Sequence, residues 1–87
     1  MWINYKIPDG KMLKINVELE DNVIRSIKLT GDFFIFPNEA VEDIENYLIN
    51  MNINDISDKL SKFIENNTIE VIGFSPENLE EIIKENI

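Results

Sequence analysis

The chain predicts an α+β domain in which a small antiparallel sheet is followed by helices. Three observations carry this. Apolar and polar residues alternate through the first thirty positions, and the apolar spacing turns helical after Gly31. The pair Ser75-Pro76 then opens a last helical segment with a strong start signal. Strands in sequence followed by helices in sequence give a three-stranded meander with about three helices on one face.

The elements follow in order. Ile3, Tyr5 and Ile7 alternate with Asn4 and Lys6, and Pro8-Asp9-Gly10 supplies the first turn. Leu13, Ile15, Val17 and Leu19 alternate with Lys14, Asn16 and Glu18, and Glu20-Asp21-Asn22 makes the second turn. Ile27 and Leu29 continue the apolar face while Ser26, Lys28 and Thr30 occupy the polar one, so one face of the sheet is covered and the other wet. Asn38 is placed to cap a helix with Val41, Ile44, Leu48 and Met51 on one stripe and Glu39 and Glu42 at the positive end of its dipole. Asn54 is placed to cap a second helix with Ile56, Leu60, Phe63 and Ile64 inward, ending at Asn66-Asn67. Thr68 to Gly73 is short and β-prone. Ser75 caps the last helix, with Pro76 at its first position and Phe74 and Leu79 at the spacing of a hydrophobic staple. No linker, repeat or low-complexity segment interrupts the order, so residues 1–87 are read as a single domain.

Composition narrows the function. At 87 residues the core is modest, and a binding partner would add stability. Apolar residues make up 44% of the chain, as in a folded domain. No cysteine leaves no disulfide or thiol chemistry, and no histidine removes the usual general base and metal ligand. A net charge of −9 argues against nucleic acid, whose phosphates need clustered Lys and Arg. That charge is uneven: residues 1–30 are near +1 and the remainder near −10, a near-neutral sheet with acidic helices. The start, Met1-Trp2-Ile3-Asn4, lacks the pattern of a signal peptide, and no apolar run reaches membrane-spanning length. A cytoplasmic protein without membrane contact is the expectation.

No constellation in the chain reads as a catalytic site. Glu42, Asp43 and Glu45 read as a solvated helix face. Asn50-Met51-Asn52-Ile53-Asn54-Asp55 lacks the glycine and the spaced acid of a calcium loop, and three glycines cannot make a phosphate-binding loop. The informative segment is Gly31-Asp32-Phe33-Phe34-Ile35-Phe36-Pro37, an apolar run at a strand-to-helix junction where polar turn residues are usual. Such a run either plugs the core or meets a partner, and at least two of its side chains must be inside. Gly31 reads as a bulge or close backbone approach, with Gly10 and Pro37 as further junction residues. Asp32 has a local role in bonding backbone N–H groups or an outward role toward a cation on a partner. Lys6, Lys14 and Lys28 share the polar sheet face, with Lys11 at the turn; they either solubilise it or meet an acidic surface. Residue types and spacing therefore stop at a small binding module.

The pattern Tyr5-Lys6-Ile7-Pro8-Asp9-Gly10-Lys11-Met12-Leu13, then a hairpin, then Ile27-Lys28-Leu29-Thr30-Gly31-Asp32-Phe33-Phe34 resembles the accessory domain of lipoate–protein ligases. The likeness extends to Ile72-Gly73-Phe74-Ser75-Pro76 and covers nearly the whole chain. In many bacteria that domain is fused to the catalytic domain; in a bipartite archaeal type it is a separate small subunit. The resemblance implies a fold similar to the sulfur-acceptor and iron–sulfur scaffold (SufE/NifU-type) fold, although this chain has no cysteines for cluster assembly.

It also implies a role: an accessory subunit that docks on a catalytic lipoate–protein ligase subunit as a heterodimer. There it enables ATP-dependent activation of lipoate to lipoyl-adenylate, before transfer to a lysine of lipoyl acceptor domains. ATP, Mg and lipoate are expected in the catalytic partner, and no cofactor in this chain. Nothing here is similar to the catalytic lysine or adenylate loop of that family, so no catalytic residue carries over. Asp32, Phe33, Phe34, Phe36 and Lys11 are the partner-binding candidates. The alternative is a non-catalytic adaptor module of the same fold, unrelated to ligation. The choice between lipoate and octanoate stays open.

Overall fold

The computed structural model describes residues 1–8 and 11–87. Gly10, expected as a junction residue, and the tip of the first turn lie outside the described residues. Strands β1 (Trp2–Lys6), β2 (Met12–Glu20) and β3 (Val23–Gly31) form the antiparallel meander, in the order β1-β2-β3. Asp21 and Asn22 link β2 to β3 with φ of 53° and 65°. Two consecutive positive φ values form the mirror-image turn whose twist matches a hairpin, and Asp and Asn tolerate them best after glycine.

The register explains the apolar face. Leu13, Ile15 and Val17 of β2 oppose Gly31, Leu29 and Ile27 of β3, and Ile3 opposes Ile15 from the other side. Between Glu18 and Leu19 the pairing shifts, so that Glu18 opposes Ser26 and Leu19 opposes Ile24. Arg25 is thus an extra residue in β3. A simple alternation would send Ile24 and Ile27, three apart, to opposite faces; the bulge turns both inward, and both are buried.

A second, two-stranded sheet pairs β4 (Phe34–Phe36) with β5 (Glu70–Ile72). The β-prone segment after Asn67 thereby acquires a partner, and the junction run becomes a strand. Helices α1 (Ala40–Leu48), α2 (Ile56–Asn66) and α3 (Pro76–Glu85) complete the domain. Ile44 and Leu48 of α1, Ile56 and Leu60 of α2, and Leu79, Ile82 and Ile83 of α3 join the inner sheet residues in one buried cluster.

The helix ends differ from expectation in two places. Asn38 does not cap α1 with its side chain; the Asn38 carbonyl accepts from the Val41 N–H, and the Pro37 carbonyl accepts from the Ala40 N–H. Asn54 does not cap α2 either. Asn52 caps a single 3-10 turn, Ile53–Asp55, by accepting from the Asn54 N–H at 2.9 Å. The first turn of α2 is satisfied from α3, where the Glu80 carboxylate accepts the Ser57 N–H at 2.9 Å. The start of α3 is as the sequence indicates: Ser75 and Asn78 form a reciprocal capping box with Pro76 behind it, and Phe74 and Leu79 are both buried.

Glu45 is a correction. It is only 6% exposed and not part of a solvated face. Its carboxylate accepts the Leu29 N–H at 2.8 Å and meets the Lys28 ammonium at 3.6 Å. Leu29 lies on the outer edge of the sheet, where a strand leaves N–H groups unpaired. Further along the same edge the Ile24 N–H donates to the Met51 carbonyl, and the Asn50 N–H to the Ile24 carbonyl. Helix α1 and the segment after it therefore close that edge.

Candidate functional site

The junction begins with a backbone constraint. Gly31 has φ of +132°, and a Cβ there would stand 2.3 Å from the Met12 carbonyl oxygen. The chain passes this close because the Asp32 N–H donates to that same oxygen at 2.8 Å. On the other side Gly73 has φ of +117°, and its Cβ would meet the Phe33 Cβ at 2.9 Å and the Asp32 carbonyl at 3.1 Å. Two glycines thus let three pieces of chain meet: the start of β2, the lead into β4 and the exit from β5.

The run Phe33 to Phe36 divides. Ile35 is buried in the core, and Phe33 is partly buried, its ring edge-on to Phe74 at 5.3 Å. Phe34 and Phe36 point the other way, 62% and 48% exposed, with near-parallel rings 6.4 Å apart. Ile72, directly across from Phe34 on β5, is 40% exposed on the same face. The result is an outward apolar face of Phe34, Phe36 and Ile72 on a ribbon whose other face, Ile35 and Val71, belongs to the core.

Charge surrounds this face. Asp32 is exposed at its start, and Glu70, opposite Phe36, is exposed at its end. Lys11 is partly buried at the end of the hairpin, where its carbonyl accepts the Ile7 N–H. No ion pair joins Lys11 and Asp32 among the described residues. Pro37 is exposed immediately after Phe36. Of the residues expected at the site, the structure thus gathers Asp32, Phe34 and Phe36 outward around Gly31 and Pro37. It turns Phe33 inward as a support, so that Phe33 is not an exposed anchor.

Two site residues were not singled out from sequence. Ile72 adjoins Val71, and two successive apolar residues in a short strand do not reveal which of them faces out. Gly73 carried a signal in its position between a β-prone segment and a helix cap. Elsewhere, Trp2 is 61% exposed on the open face of the sheet, in a row with Asn16 and Lys28. Among the described residues no three His, Cys, Asp or Glu side chains come together to hold a metal ion, and no helix is long and apolar enough to cross a membrane.

An apolar face on a short ribbon with separated charges at its ends is suited to binding a protein surface. Comparison with known proteins is consistent with that character. A family model described as the bacterial lipoate protein ligase C-terminus matches residues 5–84. The lipoate-protein ligase A subunit 2 of Thermoplasma acidophilum is 31% identical over 75 residues, spanning 86% of this chain and 78% of that protein. A solved chain from an archaeal lipoylation system of Thermoplasma acidophilum, comprising a bipartite lipoate protein ligase and its E2 lipoyl domain, superposes with a TM-score of 0.77. It is 27% identical, over 94% of this chain and 91% of that one.

Proposed function

From the premise that the chain belongs to the family of bacterial lipoate protein ligase carboxyl-terminal domains, we propose that it is the accessory subunit of a two-part ligase. It docks on a separate catalytic subunit and enables that subunit to activate lipoate with ATP to lipoyl-adenylate, ahead of transfer to a lysine of acceptor domains. The relative named as a ligase subunit 2 supports a separate-subunit arrangement, since the two chains match over most of both lengths. ATP, magnesium and lipoate belong to the catalytic partner in this reading.

One observation carries the docking role: Phe34, Phe36 and Ile72 are exposed together on a ribbon whose inner face already completes the core. Aromatic side chains of this kind are the usual anchors of protein interfaces. Asp32 and Glu70 orient the dock through charge, while the Phe33–Phe74 contact and the Asp32 N–H bond to Met12 hold the ribbon in place. The accessory chain supplies no reacting group. Its effect on adenylation is conformational, because docking favours the catalytic subunit's activation-competent arrangement over the alternatives.

The test is lipoate-dependent exchange of pyrophosphate into ATP by the catalytic subunit, with and without this chain. Exchange that rises sharply on addition is the expected result. Equal exchange in both conditions would refute the activation role.

A further inference from the structure

Pro37, the residue after Phe36, lines a cleft of about 350 Å³ between α1, α2 and the lead into β5. Pro37, Ala40, Tyr47, Phe63 and Ile69 give the cleft apolar walls, and Asp43, Asn46 and Asn67 complete its lining. Tyr47 stacks on Phe63 with 4.1 Å between ring centroids and 16° between planes, so one wall is a flat aromatic surface. Asp43 stands on the rim, and Glu39 and Glu42 are exposed on the same turn of α1. Among the described residues none of these three carboxylates pairs with a cation.

The cleft and the ribbon are joined by the chain itself. Pro37 follows Phe36, and Ile69 precedes Glu70, the residue opposite Phe36. The cleft therefore adjoins the end of the ribbon that carries Phe36. The chemistry of the cleft selects what enters. A side chain laid on the Tyr47–Phe63 wall loses its water there, which favours an apolar one, and an acidic one would meet the carboxylates of α1. An apolar side chain gains from burial, and a cation beside it gives Asp43 a counter-charge at the margin of the contact.

We propose that this cleft is the second half of the dock, and that it seats a large apolar side chain of the catalytic partner flanked by a lysine or arginine. This rests on the docking reading given above, and the experiment separates the two. The catalytic subunit is titrated calorimetrically with the wild-type chain and with three variants, Phe34→Ala, Asn46→Trp and Asp43→Lys, at low and moderate salt. Asn46 is an exposed residue of α1 lining the cleft, so a tryptophan there stands over its mouth without entering the core.

Asn46→Trp is expected to raise Kd about tenfold or more, in the range of a lost interface anchor. Asp43→Lys is expected to raise Kd at low salt and to flatten the salt dependence of Kd, as removal of a rim charge does. Melting temperatures close to wild type show that both variants keep the fold, and Asp43→Lys decides the matter if Asn46→Trp does not. Weakening by Phe34→Ala with no effect of either cleft variant overturns the cleft assignment and leaves the docking reading standing. No effect of Phe34→Ala overturns the docking reading and this inference with it. Cleft variants that change self-association of the chain in sedimentation, and not binding of the catalytic subunit, identify the occupant as a second copy and also overturn it.

Discussion

Two neighbours on one three-residue strand should give opposite phenotypes. Phe34 is 62% exposed, which leaves on the order of 120 Å² of ring for a partner to cover if a Phe side chain offers about 200 Å². At about 25 cal/mol per Å² that surface is worth about 3 kcal/mol, an upper value before the ordering costs of association. Phe34→Ala should therefore weaken the complex with the catalytic subunit by about 2 kcal/mol, roughly 30-fold in Kd. The isolated domain should lose less than about 1 kcal/mol, the span of strand propensity at an exposed position. Ile35→Ala should do the reverse. Its side chain is buried in the core, and removal costs about 2–5 kcal/mol of stability. Calorimetric titration and denaturant melts of both variants read the two quantities separately. A Phe34→Ala chain that binds within threefold of wild type would refute the anchor assignment. A loss of several kcal/mol in its stability would place the ring in the core after all.

The remaining predictions concern what holds the site. Gly31→Ala should destabilise the domain by about 2 kcal/mol or more, since it combines strained φ with a contact of 2.3 Å to the Met12 carbonyl; an unchanged melting temperature would contradict the geometry. Glu45→Ala leaves the Leu29 N–H without its acceptor at the sheet edge and should cost about 1–3 kcal/mol. In a domain of this size each kcal/mol corresponds to about 4–8 °C in Tm, readily seen in a thermal scan. Burial alone would raise the Glu80 carboxyl, but the Ser57 N–H and the Lys84 ammonium outweigh it and hold it below its ordinary value of 4.5. A lowered folded-state value stabilises the fold above the ordinary value, and the contribution is lost as pH falls from 4.5 through the folded-state value. Wild type should therefore exceed Glu80→Gln in Tm at pH 7, and the gap should close in acid; a gap independent of pH would refute the assignment.

The sheet and the three helices were legible because each repeats its period long enough to be read. Alternation at Leu13, Ile15 and Val17 fixes a face, and Ser75-Pro76 with Phe74 and Leu79 fixes a helix start. The candidate site was legible only as a conflict, an apolar run where a loop should be. Phe-Ile-Phe has no alternation, so nothing in it says that Ile35 goes in while Phe34 and Phe36 stay out. That is decided by pairing with Glu70–Ile72, more than thirty residues away. Two carboxylates escape a local reading for the same cause. Glu45 adjoins Ile44 on an acidic helix and looks solvated, yet it faces the sheet edge where the Leu29 N–H needs an acceptor. Glu80 caps a helix 23 residues earlier in the chain, a bond that no local capping rule contains.

The inner face of the ribbon already closes the core through Ile35 and Val71, so folding does not require aromatic side chains at Phe34 and Phe36. The Asp32 N–H bond to the Met12 carbonyl and the Phe33–Phe74 contact tie down the lead into the ribbon, close approaches that Gly31 and Gly73 permit. A surface fixed in this way loses little freedom when a partner covers it, which favours a persistent complex over a loose one. Persistence alone does not promote adenylation. Docking can raise the activity of the catalytic subunit only if it binds the activation-competent arrangement more tightly than the others. By linkage, substrates that favour that arrangement must then tighten docking by the same factor. Lipoate with a non-hydrolysable ATP analogue should thus lower the Kd between the two chains, by about 5-fold or more if the coupling is of ordinary size. Equal Kd values with and without substrates would mean that the accessory chain binds all states alike. In that case its contribution would be attachment, and the activating effect would have to come from elsewhere.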